Sequence, residues 1–201
     1  LVAGVAFPAS AFAQCVTDAP EAASTNLILQ SQDINQAVWA KSGTPTVSGT
    51  VIAPDGTNTG QTIAIAGSGV AAFYQLVTLT TAARGEPSFY IKQITTTGTF
   101  SVENPANSAN GNWLVNVALL IPSAWQRITR GHPAVTIVAE FSGVSNQAGI
   151  FVRTGGVSIN ASWWGWQFEA GASSTSYIPT TTVPVTRAFV QTMSPTLKCR
   201  R

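Results

Sequence analysis

Charged side chains are scarce in this chain. Lys, Arg, Asp and Glu make up 9% of its 201 residues, where an ordinary globular domain carries about 25%. The formal net charge is +2, and no basic stripe occurs, which argues against a nucleic-acid partner. The one basic cluster, Lys198, Arg200 and Arg201, reads as a solvated tail. There is a single histidine, His132, and there are two cysteines, Cys15 and Cys199, with no C-x-x-C. That excludes a zinc cluster. No apolar run is long enough for a transmembrane helix. No sustained helical period, internal repeat or domain linker is present.

Enzyme signatures are equally thin. Gly67-Ser68-Gly69 lacks the G-x-S-x-G of a nucleophile elbow. Asp33, Asp55, Glu86, Glu103, Glu140 and Glu169 form no close carboxylate array, and a split pair such as Glu140 with Glu169 is the one glycosidase arrangement left open. The chain is therefore read as a non-enzyme. No cofactor is called for. A structural calcium held by Asp33 or Asp55 is left open, with no calcium-loop motif to support it.

What the sequence has is strands. Apolar residues are 45% of the chain, and Ser, Thr, Asn, Gln and Gly supply the polar surface. Strands are expected at Val47–Ile52, Gln61–Ala66, Ala72–Leu79, Ser88–Thr95, Gly98–Glu103, Trp113–Ile121, Gln126–Thr129, Val135–Phe141, Ala148–Val152 and Ser162–Glu169. Turn residues separate them, as in Pro54-Asp55-Gly56 and Asn110-Gly111-Asn112. A short helical turn is expected near Gln32–Trp39. An all-β chain with one buried face per strand closes most economically into two packed sheets.

The most informative stretch is Trp163 to Thr182, WWGWQFEAGASSTSYIPTTT. Strict alternation puts Trp164, Trp166 and Phe168 on a core face and Trp163, Gln167 and Glu169 on the other. The same alternation puts Tyr90 and Lys92 outward opposite Ile91, and Trp125 and Arg127 outward opposite Ile128. An indole or phenol beside amide and charged groups suits a sugar, whose ring face is apolar and whose hydroxyls need planar partners. The expected binding residues are thus Tyr90, Trp125, Arg127, Trp163, Gln167 and Glu169, with Lys92 at the margin. The bland alternative is an outer sheet face with unconnected aromatics and a surface Arg127–Glu169 ion pair. The loop Asn104–Trp113, rich in amides, is a second candidate, read more simply as a solvated turn.

W-G-x-Q-F-E-x-G, T-S-Y-I-P-T-T and V-T-R-A near the C-terminus, with N-L-I-L-Q-S-Q-D-I-N-Q-A-V-W-A-K-S-G at Asn26–Gly43, resemble the jelly-roll domain of bacteriophage tail and head-fibre proteins and related bacterial surface proteins. Ala53–Thr59, Phe89–Lys92 and Ala124–Ile128 are similar to its internal segments. The resemblance spans roughly Asn26 to Gln191. It implies an all-β, jelly-roll β-sandwich of two antiparallel sheets, concanavalin-like or carbohydrate-binding-module-like, generally non-catalytic, and used in adhesion or virion structure.

Leu1–Ala13 is uncharged, apolar and ends in A-F-A, which reads as the remnant of an export signal cleaved before Gln14. Residues 14–201 are then the mature jelly-roll domain, placed outside the cell or on its surface, with a virion as the alternative. In an exported chain Cys15 and Cys199 invite a disulfide, since terminal strands of a jelly roll commonly lie together. Two function classes follow. The first is a carbohydrate-binding or adhesion domain whose partner is a polysaccharide or cell-surface glycan. The second is a structural protein of a virion or fibre, packed as a homo-oligomer.

Overall fold

In a computed structural model, the structure describes residues 21–43, 45–65, 72–77, 79, 84–96, 98–104, 111–142, 148–153 and 158–189. The strands are β1 (Ser24–Asn26), β2 (Ala40–Ser42), β3 (Thr46–Val51), β4 (Gly60–Ile65), β5 (Ala72–Val77), β6 (Arg84–Thr96), β7 (Thr99–Glu103), β8 (Asn112–Asn116), β9 (Gln126–Ile128), β10 (Val135–Ala139), β11 (Phe141–Ser142), β12 (Ala148–Arg153), β13 (Ile159–Ala170) and β14 (Val185–Arg187). No α-helix occurs among the described residues.

Each strand expected from sequence has a counterpart, with four differences, the first being that the expected Val135–Phe141 strand divides into β10, paired with β8, and β11, paired with β6 in the other sheet. The expected Trp113–Ile121 strand ends at Asn116, because the Asn116 side chain accepts the Ala118 N–H at 3.0 Å and turns Val117–Leu119 into a 3-10 turn. The expected helical turn at Gln32–Trp39 is a set of tight turns instead. Asp33 accepts the Asn35 N–H and the Gln36 side-chain amide, and so competes with helical bonding. The added strands β1, β2 and β14 are three residues each, too short to show a period.

Two six-stranded antiparallel sheets face one another. The first runs β10-β8-β7-β12-β5-β2. The second runs β11-β6-β13-β4-β3, and β9 also pairs with β6. Phe73, Phe100, Val102, Trp113 and Val115 from the first sheet meet Ile63, Phe89, Ile91, Trp163, Trp166 and Phe168 from the second in one buried cluster. Aromatic edges and faces interlock across it. Phe73 stands edge-on to Trp163 and Trp166 at 5.5 and 5.2 Å, and Trp163 stacks on Trp166 at 5.3 Å with 13° between planes. The fold is an all-β sandwich of jelly-roll type.

The path of β13 sets the functional geometry. Trp164 lies opposite Tyr90 and Gln167 opposite Ser88, so Gly165 and Trp166 together face Phe89. This is a β-bulge, and Gly165 supplies its positive φ of 65°. The extra residue breaks the alternation: Trp163 and Trp166 both point into the core, while Trp164, Gln167 and Glu169 point outward. The strand also changes partner there. Up to Trp163 it pairs with β4, beginning at Ile159 against Ile65. Beyond the bulge, residues 27–31 take that edge, through Leu27 N–H to Phe168 O and Trp166 N–H to Ser31 O, both 2.9 Å.

Candidate functional site

The outer face of the second sheet divides into a covered half and an open half. Over the covered half runs a strap, residues 171–183. Gln167 and Glu169 hold it. The Gln167 carbonyl oxygen accepts the Ile178 N–H at 2.7 Å, and its amide donates to Glu169 at 2.5 Å and to Thr175 and Ser176 carbonyls. Glu169 in turn accepts the Thr175 N–H at 2.8 Å and the Thr175 hydroxyl at 2.6 Å. Both side chains are fully buried. Asn26 ties three segments together. Its amide donates to Trp166 O and Ile178 O, and its oxygen accepts the N–H groups of Ile28 and Phe168. Ser31 accepts the Thr180 N–H and shares a 2.5 Å bond with the Tyr177 hydroxyl. Burial pushes that hydroxyl's pKa up.

An ionic cluster closes the far end. Glu86 is wholly buried and lies opposite Glu169 in register. Arg130 and Arg84 reach its carboxylate at 2.9 and 3.1 Å, and both also bind the half-exposed Glu140. Burial pushes the Glu86 carboxyl up to about 7, with the Glu140 and Glu169 charges adding to the rise and Arg84 opposing it. Glu140 and Glu169 are therefore each committed to a structural partner.

The open half carries Tyr90 and Lys92 from β6, with Trp125 and Arg127 on the strand edge at β9. All four are partly exposed. The Trp125 indole lies across the sheet. Its Nε1–H donates to Ile52 O at 2.9 Å, and a Cβ on Gly60 would come within 3.1 Å of its ring. Lys92 Nζ stands 5.4 Å from the indole centroid, and the Arg127 guanidinium 5.8 Å from the Tyr90 ring. Arg127 also donates to Ser88 Oγ at 3.1 Å and to the Thr175 carbonyl. Trp164 contacts Tyr90 and Tyr177 at 5.3 and 4.5 Å and is 4% exposed.

Of the six residues expected to bind a ligand, the structure thus brings Tyr90, Trp125 and Arg127 together on an accessible face. Trp163 is a correction. The bulge turns it into the core, where it is 1% exposed. Trp164, expected in the core, takes the outward place beneath Tyr177. Gln167 and Glu169 do face outward as expected, but the strap covers them, and Arg127 and Glu169 both bind Thr175 rather than forming an ion pair with one another. Only a glycine between aromatics hinted at the bulge.

Other expected sites are placed as follows. Asp33 accepts three N–H donors, and Asp55 accepts the N–H and hydroxyl of Thr57 within its turn. Among the described residues no three His, Cys, Asp or Glu side chains gather as a metal site. Trp113 is buried in the core, and residues 105–110 of the amide-rich loop lie outside the described residues, as do Cys15, Cys199, Leu1–Ala13 and Gly67–Gly69. No helix among the described residues is long and apolar enough to cross a membrane.

The sequence matches no protein-family model and no curated protein. Solved structures do show similarity in shape. A family 11 carbohydrate-binding module from Clostridium thermocellum, solved with a β-1,3-1,4-mixed-linked tetrasaccharide, is 13% identical, with a TM-score of 0.47 over 77% of this chain and 100% of that one. The family 11 module of a cellulosomal cellulase from the same organism is 16% identical, with a TM-score of 0.43 over 75% and 97%. The enzymatically active domain of bacteriophage CBA120 tailspike protein 4 is 15% identical, with a TM-score of 0.46 over 71% of this chain. This chain spans 21% of that tailspike domain. At these values no ligand or activity transfers to this chain.

Proposed function

We propose that this chain is a non-catalytic carbohydrate-binding domain of a secreted, cell-surface or phage-derived protein, and that it holds a polysaccharide or cell-surface glycan across the open half of the outer face. The observation that carries this reading is the Trp125 indole, laid across the sheet and pinned by its own N–H to Ile52. A ring already fixed loses little freedom on stacking against a sugar. Tyr90 extends the surface, and Lys92 and Arg127 supply donors to hydroxyls. Gln167 and Glu169 serve this site through the strap that they hold. One such platform binds weakly, and useful retention comes from several copies. The test is retention on soluble polysaccharides in affinity electrophoresis. The wild type is retarded, and Trp125→Ala runs free while melting within about 4 °C of the wild type. Equal mobility of the two on every polysaccharide tried contradicts the reading.

A second reading, a structural subunit of a virion or fibre, is favoured by Ile52, whose carbonyl accepts the Trp125 indole N–H, and Ile121, whose carbonyl accepts the Gln126 amide, which are 60% and 63% exposed. Its test is sedimentation: a defined oligomer that Ile52→Ser dissolves supports it.

The export signal and the disulfide belong to the same proposal. Antiparallel pairing of β1 with β14 puts Ser24 opposite Arg187, so the stretches leading toward Cys15 and Cys199 start side by side. Mass spectrometry of protein from an oxidising compartment is expected to find the two cysteines linked, and their recovery as alkylatable thiols argues against it.

A further inference from the structure

A cleft of about 250 Å³, lined by polar residues through both their apolar stems and their polar ends, opens near where β13 changes partners. Gln30, Gln32 and Asp33 form one wall, Asn58, Thr59 and Gln61 the other, and the strap closes the end at Thr180 and Thr181. The cleft is built. Gln61 donates to Asp33 at 2.6 Å and accepts the Ile34 N–H at 2.7 Å; Thr59 accepts the buried Trp164 Nε1–H at 2.9 Å. The Gln30 N–H pairs with Thr181 O at 2.7 Å, and Gln30 is held at a φ of 49°. A non-glycine residue in that region costs free energy and persists where its surroundings fix it. Among the described residues, the side chains of Gln30, Asn58 and Thr50 have no hydrogen-bond partner in the protein, and Asp33 Oδ2 takes only the Gln36 amide. Amide, hydroxyl and carboxylate side chains thus line one small space, with Thr50 and Asn58 at its solvent-exposed rim.

That inventory selects a ligand class. Hydroxyl groups both donate and accept, so a polyol satisfies this mixture, while a ligand with only donors or only acceptors does not. No cation lines the cleft, and its one charge is the Asp33 carboxylate. Burial raises the Asp33 carboxyl, but hydrogen bonds from Gln36, Asn35 and Gln61, with the Lys41 charge nearby, outweigh it and hold it below its ordinary value. An anionic sugar would sit against that carboxylate. A divalent cation wants six to eight oxygens, and the carboxylate is already surrounded by N–H donors. The volume is below the roughly 300 Å³ at which pockets for larger ligands begin, so a single ring is the unit that suits it. The cleft also adjoins the proposed platform. Thr50 and Thr59 precede Val51 and follow Asn58 on the hairpin whose Gly60 underlies Trp125.

We propose that this cleft is a subsite for one uncharged sugar residue, the end unit of a glycan whose neighbouring ring stacks on Trp125. The proposal rests on the carbohydrate reading above but has its own test. Nitrogen-15-labelled protein is titrated with the methyl glycosides of glucose, galactose, mannose and N-acetylglucosamine, and with glucuronic acid. The expected result is saturable movement of the Asn58 and Gln30 side-chain amide signals with at least one neutral glycoside and none with glucuronic acid. Asn58→Ala weakens that binding about tenfold, the equivalent of one good hydrogen bond to a committed polar group. Thr50→Val, which removes a different exposed donor, weakens it in the same direction, with both variants melting as the wild type does. The response persists in Trp125→Ala. If the cleft signals stay still with every neutral glycoside while Trp125-dependent retention on polysaccharide holds, the subsite is wrong and the platform stands. If the cleft titrates but no polysaccharide is retained, a single-ring site stands, and the platform falls together with the link of this site to Trp125. Binding of glucuronic acid as tight as that of a neutral glycoside overturns the ligand class.

Discussion

The two halves of the outer face of the second sheet share the strands β6 and β13 and differ in what lies above them. Over Gln167 and Glu169 the strap supplies the partners, while Arg127 binds Ser88, and Arg84 and Arg130 bind one oxygen of Glu86 and leave the other without a hydrogen bond. Over Tyr90, Lys92 and Trp125 no strap lies among the described residues, and aromatic and cationic groups stay partly exposed. The residues that stand out most in the sequence, W-G-W-Q-F-E and T-S-Y-I-P-T-T, therefore belong to the half that builds the fold. The inconspicuous A-W-Q-R supplies the exposed face. Side chains that look equipped for sugar hydroxyls are equally equipped for the N–H and carbonyl groups of an irregular segment laid across a sheet.

Breaking the covered half is expected to cost stability. The largest effect belongs to Trp166, on the core side of the same strand, which stacks on Trp163 and Phe89 and is fully buried. Trp166→Ala loses about 3–5 kcal/mol in chemical denaturation. Asn26→Ala strands four backbone groups and loses roughly 2–4 kcal/mol. It also raises amide exchange in residues 174–178 more than elsewhere.

The bulge that separates the halves gives the next effect. Gly165→Ala forces a side chain into the left-handed region and brings its Cβ to 3.2 Å from Tyr90. The loss is about 1–2 kcal/mol. A substitution at Gly165 that left stability unchanged would show that the bulge does not set which tryptophan faces the core.

Glu86 sharpens the comparison through pH. Its folded carboxyl lies near 7 against 4.5 for the free side chain. The folded state then binds the proton more tightly than the unfolded state, so stability falls as pH rises from about 4.5 through 7. Glu86→Gln removes this slope, as melting curves across that window will read. The smallest effect belongs to the open half: Trp125→Ala changes stability by about 1 kcal/mol or less, as partly exposed positions do.

Much of this fold was legible. Alternation located the strands from β3 to β10, and the aromatic run from Trp163 to Phe168 identified the central strand of the core. Alternation also placed Tyr90, Lys92 and Trp125 on one face, because no irregularity intervenes in those short stretches. It failed at Trp163 and Trp164, since one inserted residue exchanges faces and a lone glycine does not say whether it bends the strand or merely packs. The covering of Gln167 and Glu169 depends on contacts from Thr175 to Ile178, which follow from the path of a segment with no period of its own. The polar cleft joins residues about 150 positions apart, Gln30 and Thr181 among them, and no local pattern announces such a junction.

The central claim, that the open half binds glycan and the covered half is structural, is tested most directly by the indole N–H spectrum during titration with soluble polysaccharide fragments. Trp125 and Trp164 both donate hydrogen bonds from Nε1, to Ile52 and to Thr59, and report on the two sides of the boundary. The expected result is a saturable shift of the Trp125 signal, with those of the buried Trp163 and Trp166 unmoved and that of Trp164 changing at most slightly through Thr59. A spectrum in which Trp164 moves strongly while Trp125 stays fixed, or in which none moves with any fragment, contradicts it.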